Sequence, residues 1–450
     1  MEKYKFSGFI NKVFSEEDSY AFYYNGKKLN LILLDDKGVR FGYRKQEDFL
    51  TANTSVGGII GLYKCICTSD LFDDTATINP SMVYIPRSIN SSEDKFNRLL
   101  FKGKIVNQLF PPIQKVKYDS ARDVNKELDG SKIIELKSFE ETDVNFSTTI
   151  DGAFFNCRFG VYWPGTIDET DENLGELTSY FVIEFEEEKH IKDIVSLYIT
   201  VRKFFQFLAK NQDIYFEEVQ VGIKKEQGKF ETLGYFIDNT IEPNEVKIKF
   251  NIIKLLPNIG VLFSKIATNE LNYKFIAKDN FESKYTTPES YVKVCGAFEH
   301  NYKILVGTQQ EKDQYKLDTI TYIKQILEEK LDREKLGKDH KSYFEHVVKI
   351  LEYDINSVET QYNRCLKRYK TTIKDFLSCT LSKFEVEKSS KLGKEFADFR
   401  NKDAHGGFIT FTNSSVCAFV VDLVLIECMI LEDSNYSLAE IKGIIEDRHL

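Results

Sequence analysis

The sequence has no surplus of positive charge. Its 61 Lys and Arg stand against 70 Asp and Glu, a formal net charge of −9. No global field therefore draws a polyanion to the chain, and any contact with nucleic acid must come from a local patch. Nor is there an apolar run of bilayer length. The longest, Val416 to Leu431, is interrupted by Asp422 and Glu427 and reads as a buried helix, with no membrane contact expected. Met1 to Phe6 lacks the apolar core of a signal peptide. Cysteine is sparse, eight residues in 450, and Cys65 and Cys67 are the only close pair. On a strand that spacing puts both thiols on one face, but no second pair completes a zinc set. Reduced, buried thiols are the expectation, and they suit a cytoplasmic protein. Three further signatures are missing. Gly57-Gly58 is not followed by the Lys-Ser/Thr of a phosphate-binding loop, there is no Gly-x-Ser-x-Gly, and no His/Asp/Glu cluster in the C-terminal part has ligand spacing. No metal and no cofactor is expected.

What is present points to a folded chain of two parts. Hydrophobic residues make up 42% and aromatics 14%, and the length allows two or three domains with a sizeable core. Up to about residue 185 the pattern is mainly that of strands. Tyr20 to Tyr24 and Leu29 to Leu34 flank Asn25-Gly26, a strong hairpin dipeptide, and Asp35 to Gly38 precedes a further strand signal at Val39 to Tyr43. Ile191, Ile194, Val195, Tyr198, Val201, Phe205 and Leu208 form one apolar stripe, predicting a helix over 190–210. Strands resume at 214–223 and 230–236, a break between subdomains is placed near 240–250, and a helix is predicted at 259–268. After residue 300 the period changes. Ile320, Ile323, Leu327 and Leu331 mark one helix, and a seam from Phe344 to Phe376 marks a longer one. The almost wholly apolar Ser415 to Leu431 and a short helix at 438–445 complete the set. The fold class read from this pattern is α+β, with a β-rich, sandwich-like region over 1–300 and an all-α helical bundle over 301–450. The apolar helix is either the centre of that bundle or a dimer face.

The richest chemistry lies in Phe396-Ala-Asp-Phe-Arg400-Asn401-Lys-Asp403-Ala-His405-Gly406-Gly407. Leu392, Phe396 and Phe399 recur as one helical face, and the double Gly stops the helix at His405. An Arg that grips a phosphate and a His that moves a proton near neutral pH are what phosphodiester cleavage requires. The five-residue step turns the two side chains about 140° apart on an ideal helix. They converge only if the helix end unwinds or two copies of the motif meet. Spacing alone is a loose criterion, since Arg333 and His340 also fit a relaxed Arg-to-His pattern within a mixed-charge connector.

These residues resemble the motif of the HEPN superfamily: an Arg, a polar residue that is often Asn, a short spacer and a His within a helical bundle. The β-rich region ahead of a C-terminal helical domain looks like the ApeA type of anti-phage HEPN protein. The motif covers only the helical domain; over residues 1–300 the resemblance is one of layout. It implies a metal-independent endoribonuclease of abortive-infection defence, dormant until a phage protein triggers it, cleaving host RNA, with tRNA among the targets. His405 would transfer protons and Arg400 would hold the phosphate, while Asn401 and Asp403 orient these groups or bond the RNA. The products would carry 2′,3′-cyclic phosphate and 5′-hydroxyl ends. A homodimer or higher homo-oligomer through the helical domain is implied, with the β-rich region as sensor. The alternative from a different class is a non-catalytic HEPN-like dimerisation or RNA-binding module with a ligand-sensing β domain.

One further stretch bears on RNA. Arg364, Lys367, Arg368, Lys370 and Lys374 make the most basic local sequence, with Arg364 and Arg368 on one helix face and the three Lys on another. They form either a solvated face opposite the apolar seam or a strip that tracks RNA phosphates without reading sequence.

Overall fold

The structure, a computed structural model, describes residues 5–14, 19–34, 44–55, 57–69, 75–87, 94–118, 134–138, 142–162, 177–225, 230–242, 248, 250–268, 270–307, 314–334, 338–355, 357–404 and 410–450. The chain divides into two compact units, Met1–Ala267 and Thr268–Leu450.

The first unit is β-rich. Its strands β1 (Phe6–Asn11), β2 (Ser19–Tyr24), β3 (Leu29–Leu33), β4 (Arg44–Thr54), β5 (Ile59–Ser69) and β6 (Thr75–Pro86) pair in the order β6-β3-β2-β1-β4-β5, and β5 returns to β6. The sandwich-like expectation is thereby refined to a closed six-stranded antiparallel barrel. The length of β6 makes closure possible. One of its edges pairs with β5, while the other pairs first with β3 at Thr75–Ile78 and then with β14 (Phe230–Asp238) at Met82–Pro86. The expected hairpin is present: Tyr24 opposes Leu29, and Asn25 Oδ1 accepts from the N–H groups of Lys27 and Lys28 at 3.0 Å each. Gly26 takes the positive φ of 97° that the turn demands. The signal at residues 35–43 lies outside the described residues. Alternate residues Tyr20, Phe22, Tyr24, Leu29, Leu31, Ile60, Leu62, Cys65 and Cys67 fill the barrel.

Through β14 the barrel runs on into an antiparallel sheet. Its further strands are β7 (Lys95–Lys102), β10 (Val144–Ile150), β11 (Ala153–Tyr162), β12 (Thr178–His190) and β13 (Glu218–Lys224), in the order β10-β11-β12-β7-β13-β14. A short helix α1 (Lys104–Leu109) and a small hairpin of β8 (Val116–Tyr118) with β9 (Ile134–Leu136) interrupt the run. Helix α2 (Ile194–Ala209) follows the predicted stripe and buries Ile194, Tyr198, Val201, Phe205 and Leu208. It and α3 (Ile259–Ala267) pack on an aromatic core in which Phe181 meets Phe159, Phe205 and Phe263. Because α3 packs on β10, with Thr148 Oγ1 donating to the Gly260 carbonyl at 2.9 Å, the break expected near 240–250 is not a boundary.

The second unit contains α4 (Pro288–Leu305), α5 (Gln314–Glu334), α6 (Lys338–Ile355), α7 (Val358–Tyr369), α8 (Lys374–Lys383), α9 (Leu392–Ala404), α10 (Asn413–Asp433) and α11 (Leu438–His449). The α+β class with a C-terminal helical region is as expected, but the division falls at 267/268 rather than 300. The physical reason is α4, whose Tyr291 stacks on Phe399 at 3.8 Å between ring centroids and whose Phe298 meets Phe396 edge-on at 5.8 Å. The long helix predicted through Phe344–Phe376 is instead three, α6, α7 and α8. Ser357 starts a new helix by accepting from Thr360 N, and residues 370–373 form a turn. Tyr362, Cys365, Tyr369, Ile373 and Phe376 remain on the buried side. Among the described residues α10 is the one helix long and apolar enough to cross a bilayer, and 78% of its most apolar window is buried within the protein. It is the bundle's centre, with only Val416, Val420 and Leu423 half-buried along one apolar stripe.

Candidate functional site

Helix α9 is anchored by its apolar face. Leu392, Phe396 and Phe399 are buried, and Tyr362 of α7 lies 5.1 Å from Phe396 between ring centroids. Gly393 permits the close approach of α7, since a methyl there would fall 2.5 Å from Asn363 Oδ1. This anchoring delivers Arg400 and Asn401 to the surface at the C-terminal end of the helix. Arg400 is half-exposed, and its guanidinium is organised on three of its nitrogens. Nε donates to Glu299 Oε1 at 3.1 Å, Nη2 to Glu299 Oε2 at 3.4 Å, and Nη1 to Asn401 Oδ1 at 3.3 Å. The Arg–Glu contact is the two-pronged, planar arrangement for which guanidinium is suited. Asn401 is the sequence neighbour of Arg400, whereas no local pattern joins Arg400 to Glu299, which lies 101 residues upstream. Its helix carried a readable start signal, Thr287-Pro288 followed by Ser290, which forms a capping box. His405, Gly406, Gly407 and the side chain of Asp403 lie outside the described residues.

Beneath this surface pair lies a line of buried polar groups. Tyr291 and Cys295 precede Glu299 at helical spacing on α4, and Asp422 of α10 lies fully buried with neither carboxylate oxygen hydrogen-bonded. Burial pushes the Asp422 carboxyl well above the usual carboxylate range. Burial likewise raises the Cys295 thiol and the Tyr291 hydroxyl, with Asp422 adding to both shifts. A second carboxylate on the same helix is fully engaged: Glu427, buried, pairs with Arg448 and with His449 Nε2 at 3.1 Å.

The five basic residues of the 362–374 stretch separate into two groups. Arg364 hydrogen-bonds Tyr302, and Arg368 grips Glu432 through Nε at 2.9 Å and Nη2 at 2.6 Å. For Glu432, burial opposes ionisation, but the bonds from Arg368 and Tyr369 outweigh it and hold the carboxyl below its ordinary range. These two Arg are tied into the bundle. Lys367, Lys370 and Lys374 are exposed, and no ion pair engages them among the described residues. Arg364 and Arg400 both meet α4, at Tyr302 and at Glu299, which lie one helical turn apart.

Among the described residues no group of three His, Cys, Asp or Glu is disposed to hold a metal ion. All eight cysteines are free and seven are buried, with Cys379 exposed; burial is the largest cause pushing the Cys67 thiol up to about 11.

A family model described as ApeA N-terminal domain 1 matches residues 20–270. No curated protein and no solved structure matches the chain.

Proposed function

The chain belongs to the ApeA N-terminal domain 1 family, which supports an ApeA-type anti-phage protein, and on that premise we propose that its helical unit is a metal-independent endoribonuclease acting in abortive-infection defence. The observation that carries this reading is Arg400 itself: a half-exposed guanidinium held in a plane at the end of an anchored helix, with Asn401 bonded to it. RNA supplies its own nucleophile, the 2′-hydroxyl. The protein need only remove that proton, protonate the leaving 5′-oxygen and stabilise the charge that builds on phosphorus. Arg400 takes the last role and His405 carries a proton, while Asn401 and Asp403 orient these groups. The ends left are a 2′,3′-cyclic phosphate and a 5′-hydroxyl. Lys367, Lys370 and Lys374 hold RNA phosphates without reading sequence. The β-rich unit senses a phage protein in the cytoplasm, and the active form is a homodimer or higher homo-oligomer built through the helical unit, cleaving host RNA, tRNA included.

A second reading has a specific observation in its favour. The Glu299–Arg400 pair already engages the guanidinium through two of its nitrogens, as it would in a non-catalytic HEPN-like module with a ligand-sensing β unit. Phage challenge of a host expressing the protein separates the two. Wild type should restrict the phage and arrest the host, whereas Arg400→Ala and His405→Ala, produced at the same level, should do neither. Full protection by both variants leaves the binding-module reading.

A further inference from the structure

We propose that helices α5 and α6 form a two-helix layer that closes on the same layer of a second copy of the chain, making an intermolecular four-helix bundle. The proposal gives the homodimer proposed above its surface; it rests on that homodimer and not on nuclease chemistry, so it is read by molecular size rather than by cleavage. It starts from packing. Helices α4, α7, α8, α9 and α11 all gather on α10, whereas α5 and α6 pack on each other. Among the described side chains of these two helices, Ile320 alone is buried. Ile323 and Leu327 on α5, and Phe344, Val347 and Val348 on α6, are only half-buried where the two helices meet. Helices in a folded chain take most of their stability from a buried face. Here one partner helix leaves half of that face open.

The open half is apolar. Tyr322 and Ile326 on α5 are 64% and 40% exposed, and Tyr343 and Ile350 on α6 are 67% and 53% exposed. By the helical period, the exposed pair lies about 110° round α5 from its seam and about 130° round α6, in the same rotational sense on both. The helices are joined by the short connection between Glu334 and Lys338 and run antiparallel. An equal sense about two antiparallel axes puts both pairs on one side of the hairpin. The four side chains therefore make a single apolar face, of the kind that a second helical layer closes.

Charge selects the occupant and its orientation. The outer edge of this face carries Asp318, Gln325 and Glu329 on α5, and His346 and Lys349 on α6. A two-fold axis across the helices would stack α5 on α5, acidic edge against acidic edge. A two-fold axis along the helices stacks α5 on α6 of the second copy, acidic edge against basic edge. That arrangement sets Tyr322 over Ile350, since the two lie equally far from the connection between Glu334 and Lys338. Nearer the connection it sets Lys330 of α5 against Asp339 of α6. The face is self-complementary in this one orientation.

The test is sedimentation of the purified full chain at micromolar concentration, for wild type and for the double variant Ile326→Glu/Ile350→Glu. Wild type should be a dimer, and the variant should associate more weakly by on the order of 10²-fold or more, with an unchanged circular-dichroism melt at low concentration. A second arm reports the orientation and stands if the double variant fails to fold. In a Cys379→Ser background, which removes the exposed native thiol, Tyr322→Cys mixed with Ile350→Cys should form a disulfide-linked dimer on mild oxidation, and neither variant should do so alone. A double variant that dimerises as tightly as wild type overturns the proposal in favour of another face of the helical unit. Tyr322→Cys that links to itself overturns the pairing of α5 with α6. A monomeric wild type overturns both this proposal and the homodimer, and assigns the face to a different protein.

Discussion

Three nitrogens of Arg400 are bound to fixed partners, two by Glu299 and one by Asn401, so the guanidinium acts as an oriented plane rather than a mobile charge. Arg400→Lys should therefore lower RNA cleavage by on the order of 10²-fold or more although the charge is kept, because the fork is lost. Single-turnover rates beside wild type check this, and a near-normal rate would mean that charge alone suffices. Asp422 makes a different prediction. Its carboxyl is buried without a hydrogen bond and its folded-state pKa is raised by that burial. Its contribution to stability is fully present below about pH 4, where the unfolded carboxyl is also protonated. It is lost as pH rises from there through the raised folded value, because only the unfolded chain then releases the proton. Thermal melts should show Asp422→Asn gaining on wild type as the pH is raised from 4 to 7, and a parallel pH dependence of the two would contradict this. At this scale Arg400 and Asn401 were legible, because a helix-end motif is local. Glu299 was not, because the contact joins two helices that only the fold brings together.

Among the elements, the basic strip and the broken helix carry the lessons. Replacing Lys367, Lys370 and Lys374 together by Ala should weaken RNA binding at every sequence and make its salt dependence shallower. Arg368→Ala should instead lower the melting temperature, because it leaves Glu432 half-buried without its main partner. An unchanged salt slope in the triple variant would return the three Lys to a merely solvated face. Ser357→Ala removes the cap of α7, whose hydroxyl accepts from Thr360 N at 3.2 Å, and should cost about 1 kcal/mol. A melt lowered by about 2–4 °C is the expected size for a unit of this length. The seam from Tyr362 to Phe376 was readable because burial keeps its spacing across the turn at 370–373. The turn itself was not, since one slip in an apolar period looks alike in a bent helix and in a broken one. The Asn-Gly hairpin was legible for the opposite reason: its geometry is dictated by two adjacent residues. Barrel closure depends on β6 pairing with β5 along one edge and with β3 and then β14 along the other, which no local pattern encodes.

For the whole molecule, the division at 267/268 matters because α4 brings both packing and chemistry to the helical unit. A fragment of residues 268–450 should fold alone with a cooperative melt, whereas 301–450 lacks Tyr291, Phe298 and Glu299 and should not. Circular dichroism decides this, and a well-folded 301–450 fragment would return the boundary to where the change of period had put it. The central claim concerns the bond that is cut and what cuts it. Its most direct test is incubation of total RNA with the purified full chain in EDTA, with the new ends identified chemically, for wild type, Arg400→Ala and His405→Ala. The expected result is cleavage by wild type alone, leaving 2′,3′-cyclic phosphate and 5′-hydroxyl ends. Cleavage that requires a divalent ion, or that His405→Ala performs as fast as wild type, would contradict it.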